Sequence, residues 1–139
     1  MIILDTNVIS ALMHKEPDKP VVKWLDQQPA ASVWITAITV MEIHFGLQTV
    51  PKGRRQNALL ASFELMLKSM IEGRVASFDA EAGVRAAELM AERKRAGRPS
   101  EVRDTMIAGI VLATRATLAT RNLQHFEDLP LTVINPWQV

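Results

Sequence analysis

Ile2-Ile3-Leu4-Asp5-Thr6-Asn7 opens the chain with a short apolar run that stops on a carboxylate. Three apolar residues rich in β-branched side chains read as a strand buried on both faces, which is the habit of parallel sheets. Further out, Val33-Trp34-Ile35, Arg74 to Phe78, Thr117-Leu118-Ala119-Thr120 and Leu131 to Ile134 read as four more short strands. Between them run helical patterns. Lys19 to Gln27 turns Val22, Trp24 and Leu25 inward, and Ala37 to Gln48 turns Ile38, Val40, Met41 and Phe45 inward. Arg54 to Glu72 carries a stripe of Leu59, Phe63, Met66 and Met70, widened by Leu60, Leu67 and Ile71. Ala80 to Ala96 is expected to bury Val84, Ala87 and Met90, and Arg103 to Thr114 is apolar nearly all round, as a central buried helix is. Strands alternating with helices imply an α/β fold with a parallel sheet covered on both faces. Such folds bind ligands beyond the carboxyl ends of their strands.

The chain has 139 residues, which sets one domain over 1–139 as the expectation. Sixteen Lys and Arg against fifteen Asp and Glu leave a net charge of +1, which excludes a basic tail protein and an acidic disordered one. Cysteine is absent, so no disulfide framework, Cys-ligated zinc, iron–sulfur cluster or thiol nucleophile can form. A reducing cytosol is compatible with that. The opening residues lack a basic lead, so no signal peptide is expected. The longest apolar run, Met106 to Ala113, is eight residues, against about 20 for a membrane span.

Three acidic residues fall at element ends or borders. Asp5 sits where the first strand stops, although Asp is also a favoured helix N-cap. Glu42 borders the buried face of its helix, and Thr39-x-x-Glu42 fits a capping box as well. Asp104 opens the apolar helix, where an acid also complements the helix dipole. Ala119-Thr120-Arg121-Asn122 adds a polar group at another strand end. Three carboxylates in one pocket would repel by about 4 kcal/mol per pair at 4 Å and an effective dielectric near 20. Protons or a cation must compensate, and hard oxygen donors suit Mg²⁺ or Mn²⁺.

Five motifs in order carry a family likeness: Ile3-Leu4-Asp5-Thr6-Asn7, Thr36-x-x-Thr39-x-x-Glu42, Asp104-x-x-Ile107-Ala108, Ala119-Thr120-Arg121-Asn122 and Asn135-Pro136-Trp137. With these, the chain resembles the PIN-domain ribonucleases, specifically VapC-type toxins of the FitB-like branch from type II toxin–antitoxin systems. The resemblance implies a three-layer α/β/α sandwich around a central parallel sheet. It implies a cytoplasmic Mg²⁺- or Mn²⁺-dependent endoribonuclease that hydrolyses RNA and is inhibited by a cognate antitoxin. A homodimer, higher toxin–antitoxin assemblies and contact with operator DNA only through the antitoxin follow from the same likeness.

By position, Asp5, Glu42 and Asp104 fall on the family's acidic triad. The family's fourth position, often Asp, is Asn122 here, which removes one negative charge and weakens the case for a second tightly held metal. On this reading Asp5 and Asp104 are the direct metal ligands. Glu42 binds the metal through water or orients the nucleophile, and Asn122 hydrogen-bonds a water or the substrate. Thr6, Asn7 and Thr120 support the cluster, and Arg121 is the candidate for a phosphate contact.

Two rival readings exist. A phosphotransferase of the haloacid-dehalogenase kind would use Asp5 as nucleophile, but its usual second Asp two residues on is Asn7 here. A non-catalytic PIN-like RNA- or protein-binding module is the other, and retention of all three acids argues against it. RNA affinity in a near-neutral chain must come from local clusters. Lys52, Arg54 and Arg55 form one and Arg93, Lys94, Arg95 and Arg98 another, each equally readable as a solvated face. With three Trp, four Phe and no Tyr, no aromatic surface for stacking bases is evident, and Trp137 reads as a packing residue. The resemblance places the Leu59–Ile71 stripe near a dimer or antitoxin surface. His14, His44 and His125 show no zinc spacing. Only His125, three residues after Asn122, is kept as a candidate supporting residue.

Overall fold

The computed structural model describes residues 1–139. Five strands, β1 (Ile2–Leu4), β2 (Val33–Thr36), β3 (Val75–Ala76), β4 (Thr117–Ala119) and β5 (Thr132–Ile134), form one sheet in the order β3-β2-β1-β4-β5. Every pairing is parallel. Six helices cover it: α1 (Thr6–Leu12), α2 (Lys19–Asp26), α3 (Ala37–Gln48), α4 (Arg54–Met66), α5 (Ala80–Arg95) and α6 (Val102–Thr114). The three-layer arrangement agrees with the expectation. The chain winds from β1 outward to β2 and β3, then returns to the other side for β4 and β5. The strand order therefore reverses between β1 and β4, and an open parallel sheet has its crevice at that point.

Alternation along β1 sorts its side chains between the layers. Ile3 packs with α5 and α6 residues such as Ala82, Leu89, Ile107 and Ile110, whereas Leu4 packs with Val8, Val21, Ile43 and Phe63 on the α1–α4 side. In β4, Leu118 and Ala119 divide in the same way. Side-chain caps fix where helices leave strands. Asp5 Oδ1 accepts from the Thr6 N–H at 2.8 Å, and Thr36 Oγ1 accepts from the Thr39 N–H at 3.1 Å. The cap of α3 is thus Thr36, so the Thr39–Glu42 capping box does not form and Glu42 is free for other partners.

Several inward faces differ from the expectation. On α2 the buried residues are Val21 and Trp24, while Val22 and Leu25 are only half-buried. On α3, Met41 and Phe45 are 49% and 61% exposed, and Thr39, Ile43 and Leu47 are buried instead. The Arg54–Glu72 pattern breaks at Met66 into a wider π turn, Leu67–Ile71, ended by Glu72 and Gly73 at positive φ. β3 shrinks to two residues at the sheet edge, where Arg74 donates through Nε to the Val33 carbonyl at 2.8 Å.

The largest change is on α5, where Val84, Ala87 and Met90 face solvent and Ala82, Ala86 and Leu89 face the core. The reason lies on α6. A Cβ built on Gly109 would stand 2.5 Å from the Ala82 carbonyl oxygen and 2.9 Å from the Ala86 Cβ. The two helices approach so closely that only small residues fit between them, and size outranks hydrophobicity in choosing the face. Gly109→Val is therefore expected to lower stability by about 1–3 kcal/mol through overpacking, outweighing any gain in helix propensity. A urea midpoint at or above that of the unaltered protein would show that the helices can part at no cost.

Candidate functional site

Asp5 stands at the carboxyl end of β1, and its backbone N–H continues the ladder to the Ala119 carbonyl at 2.9 Å. That register brings Thr120, the residue after β4, beside it. The Thr120 hydroxyl donates to Asp5 Oδ2 at 2.7 Å, and Asn7 Nδ2 donates to the same oxygen and to Thr120 Oγ1, both at 3.2 Å. Asp5 is 3% exposed. Burial pushes its carboxyl up to about 6, with the negative charges of Asp104 and Glu42 adding to the rise. The Thr120 hydroxyl and the Thr6 N–H oppose that rise without cancelling it.

Glu42, in the second turn of α3, comes to the same place through α1. The Thr6 hydroxyl donates to Glu42 Oε1 at 2.8 Å and lies 3.0 Å from Thr39 Oγ1. Glu42 Oε2 faces Arg103 Nη1 at 3.6 Å. Asp104, in the first turn of α6, has its backbone N–H capped by Glu101 at 2.8 Å. Its Oδ2 lies 2.8 Å from His125 Nδ1, and Oδ1 has no protein partner.

One open cavity of about 400 Å³ is lined by Asp5, Thr6, Asn7, Glu42, Asp104, Arg121 and Asn122. Seven of the nine residues singled out from sequence thus line one crevice; Thr120 lies buried beneath it, and His125 reaches it only through its contact with Asp104. The Asn122 side chain is exposed there without a protein partner, while its backbone N–H donates to Thr120 Oγ1 at 3.0 Å. Ser10, Ala11, His14, Asp18 and Trp137 complete the wall; sequence reading set His14 aside and took Trp137 for a packing residue, and it did not single out Ser10, Ala11 or Asp18. Nor did it single out Arg103, and it placed Thr39 in the motif with Glu42 without foreseeing its contact with Thr6. Asp18 and Trp137 bond each other across 119 residues, a pairing that no local pattern signals. His44 stacks edge-on against Phe63, away from the cavity wall.

No three carboxylate or imidazole side chains stand close enough to grip one ion by themselves. The donor set nevertheless fits a hard divalent ion that keeps several waters and takes one or two protein carboxylates. A cation there would relieve the mutual repulsion and the burial of charge at Asp5.

The PIN domain family model matches residues 2–130. A plasmid stability protein StbB from Pseudomonas syringae pv. tomato is 42% identical over 138 residues, covering 99% of each chain. A VapC ribonuclease Y4jK from Sinorhizobium fredii is 40% identical over 138 residues with the same coverage. The crystal structure of FitAcB from Neisseria gonorrhoeae superimposes with a TM-score of 0.91 at 32% identity, covering 100% of both chains.

Proposed function

This chain belongs to the PIN-domain family, and from that premise we propose that it is a divalent-metal-dependent endoribonuclease, the toxin of a type II toxin–antitoxin pair. The similar VapC ribonuclease Y4jK carries the name of a nuclease, which supports that reading. The observation that carries the reading is the gathering of Asp5, Glu42 and Asp104 around one crevice at the reversal of strand order. A single domain over residues 1–139 houses the whole machinery.

Asp5 and Asp104 are the residues that would hold Mg²⁺ or Mn²⁺, with Glu42 at the rim. Bound there, the ion supplies charge neutralisation on the phosphodiester and a more acidic water. The chain's own side chains do the rest. Thr6 and Thr120 fix Glu42 and Asp5 by hydroxyl donation and so hold the carboxylates in one orientation. Asn7 ties Asp5 to the β4 end, and its Oδ1 accepts the Arg121 N–H at 3.1 Å. Asn122 offers an uncommitted amide to the substrate or to a water. Glu42, partly shielded by Arg103, stands where it can receive a proton from an attacking water.

RNA is the substrate class, and a cognate antitoxin is the partner that closes the crevice. Dimerisation and contact with operator DNA through the antitoxin belong to the same proposal. The chain has no helix long and apolar enough to cross a membrane.

Purified protein is expected to hydrolyse single-stranded RNA with Mg²⁺ or Mn²⁺, to stop in excess EDTA, and to resume when the ion is restored. Hydrolysis at an undiminished rate in EDTA would remove the metal from this account. Metal binding without any hydrolysis would favour the non-catalytic module instead.

A further inference from the structure

The wall of the crevice holds a guanidinium that no carboxylate claims. Arg121 shares the cavity with Asp5, Asp18, Glu42 and Asp104, yet it forms an ion pair with none of them. Its Cζ lies instead 4.9 Å from the centroid of the Trp137 ring. Cation–π contact of this kind holds the guanidinium over the indole and leaves its donors unspent.

Trp137 is itself fixed. Its indole N–H donates to Asp18 Oδ2 at 2.8 Å, its backbone N–H donates to Asn135 Oδ1 at 2.9 Å, and one side of it packs on the α1–α4 core. Arg121 is tied at its backbone to Asn7, which also bonds Asp5. Arg121 follows β4 and Trp137 follows β5, whereas Asp5 follows β1. In the order β1-β4-β5 the pair is displaced from Asp5 by one to two strand spacings, about 5–10 Å. That is the scale of one step along a nucleic-acid strand.

We propose that Arg121 and Trp137 form a nucleotide subsite for single-stranded RNA, in which the stacked pair takes the base and phosphate next to the bond held over the carboxylates. A rigid indole and a stacked guanidinium are the surfaces on which unpaired bases settle, and the free donors of Arg121 meet the flanking phosphate. The subsite deepens the ribonuclease reading and rests on it. It also gives Trp137 a task beyond packing.

The test uses the full chain with fluorescein-labelled single-stranded RNA decamers of random sequence. Trp137→Leu keeps apolar bulk against the core but has no flat ring. It is expected to raise KM about 10-fold with kcat within about 3-fold, and Trp137→Phe to restore most of the difference. In an Asp5→Asn background, anisotropy should show the same loss of binding for the decamer. It should show none for a decamer of abasic ribose phosphate. Arg121→Ala alters an exposed side chain and carries the test even if Trp137→Leu does not fold. It should weaken binding and lower the slope of log K against log salt by about 0.7.

Unchanged KM in Arg121→Ala and in a folded Trp137→Leu would overturn the subsite, as would a loss in Trp137→Leu that is equal on the abasic decamer. The two readings fail separately. Asp5-dependent hydrolysis indifferent to Trp137 and Arg121 removes the subsite alone. RNA binding that depends on both residues, with no hydrolysis by the unaltered protein, removes the ribonuclease and leaves the subsite.

Discussion

Asp5→Asn is expected to abolish RNA hydrolysis, by about 10³-fold or more, and at the same time to make the metal-free protein more stable at neutral pH. The loss follows from removing a charged oxygen donor whose part in transition-state stabilisation is worth several kcal/mol. The gain follows from burial. Asp5 is pushed up to about 6 from an ordinary value of 3.8, chiefly by desolvation. The folded chain therefore holds a proton between these values that the unfolded chain releases. Stability from this group is greatest below pH 3.8, falls as pH rises through 6, and by pH 7.5 is lower by about 3 kcal/mol.

An amide avoids that penalty, with one offset. Its NH₂ would meet Asn7 Nδ2 where Oδ2 now accepts, and Thr120 Oγ1 already accepts two donors. A net gain of about 1–2 kcal/mol remains, or roughly 5 °C in Tm for a domain of this size. Differential scanning fluorimetry in EDTA at pH 5 and pH 7.5 reads both arms. The variant should gain on the unaltered protein as pH rises, and added Mg²⁺ should narrow the gap by stabilising only the protein that binds it. A variant that melts lower at pH 7.5 in EDTA would mean that Asp5 is not held at electrostatic expense.

The contrast between Asp5 and Arg93 shows what a sequence can disclose. Asp5 was legible because its position is local: a strand ends, a carboxylate follows, and the next residue begins a helix. Glu42 and Asp104 were legible in the same sense, as acids bordering apolar faces. The wrong faces on α3 and α5 have a shared cause. Apolar periodicity ranks residues by hydrophobicity, so Phe45 and Met90 outrank Thr39 and Ala86. The fold ranks them by fit instead: Thr39 is buried because Thr36 and Thr6 offer hydroxyl partners, and Ala86 because Gly109 comes close. Asn122 precedes and His125 ends a single 3-10 turn, Leu123–His125, too short for a period to assign a direction. The contact between His125 and Asp104 joins positions 21 residues apart and had to be seen.

Arg93 looked like one member of a basic cluster, yet it is 7% exposed and lies inside the molecule. Its Nε and Nη2 each donate to Asp128 at 3.0 Å, and Nη2 also donates to the His125 carbonyl at 2.6 Å. The guanidinium holds the Asp128 carboxyl below the usual carboxylate range, with Arg98 adding a weaker attraction at 3.8 Å. This clamp fastens the segment after β4, with Asn122 and His125, to the last turn of α5.

Arg93→Ala is accordingly expected to cost about 3–5 kcal/mol, the range for breaking a buried pair and stranding its partner. The sign with pH follows from Asp128. Its stabilising share is complete above the ordinary carboxylate range and disappears as pH falls through its depressed value, so the deficit of the variant should shrink in acid. Arg93→Met combined with Asp128→Leu removes both charges and should recover most of the loss, because apolar replacement of a whole buried pair is often close to neutral. Hydrolysis should not recover with stability. Without the clamp on its carbonyl, His125 no longer fixes Asp104, and loosening a carboxylate's outer partner lowers metal affinity or activity by about 10–100-fold. Denaturant melts and Mn²⁺ titrations on the single and double variants separate the two effects. Full activity in the double variant would show that Asp104 keeps its position without the segment that Arg93 secures.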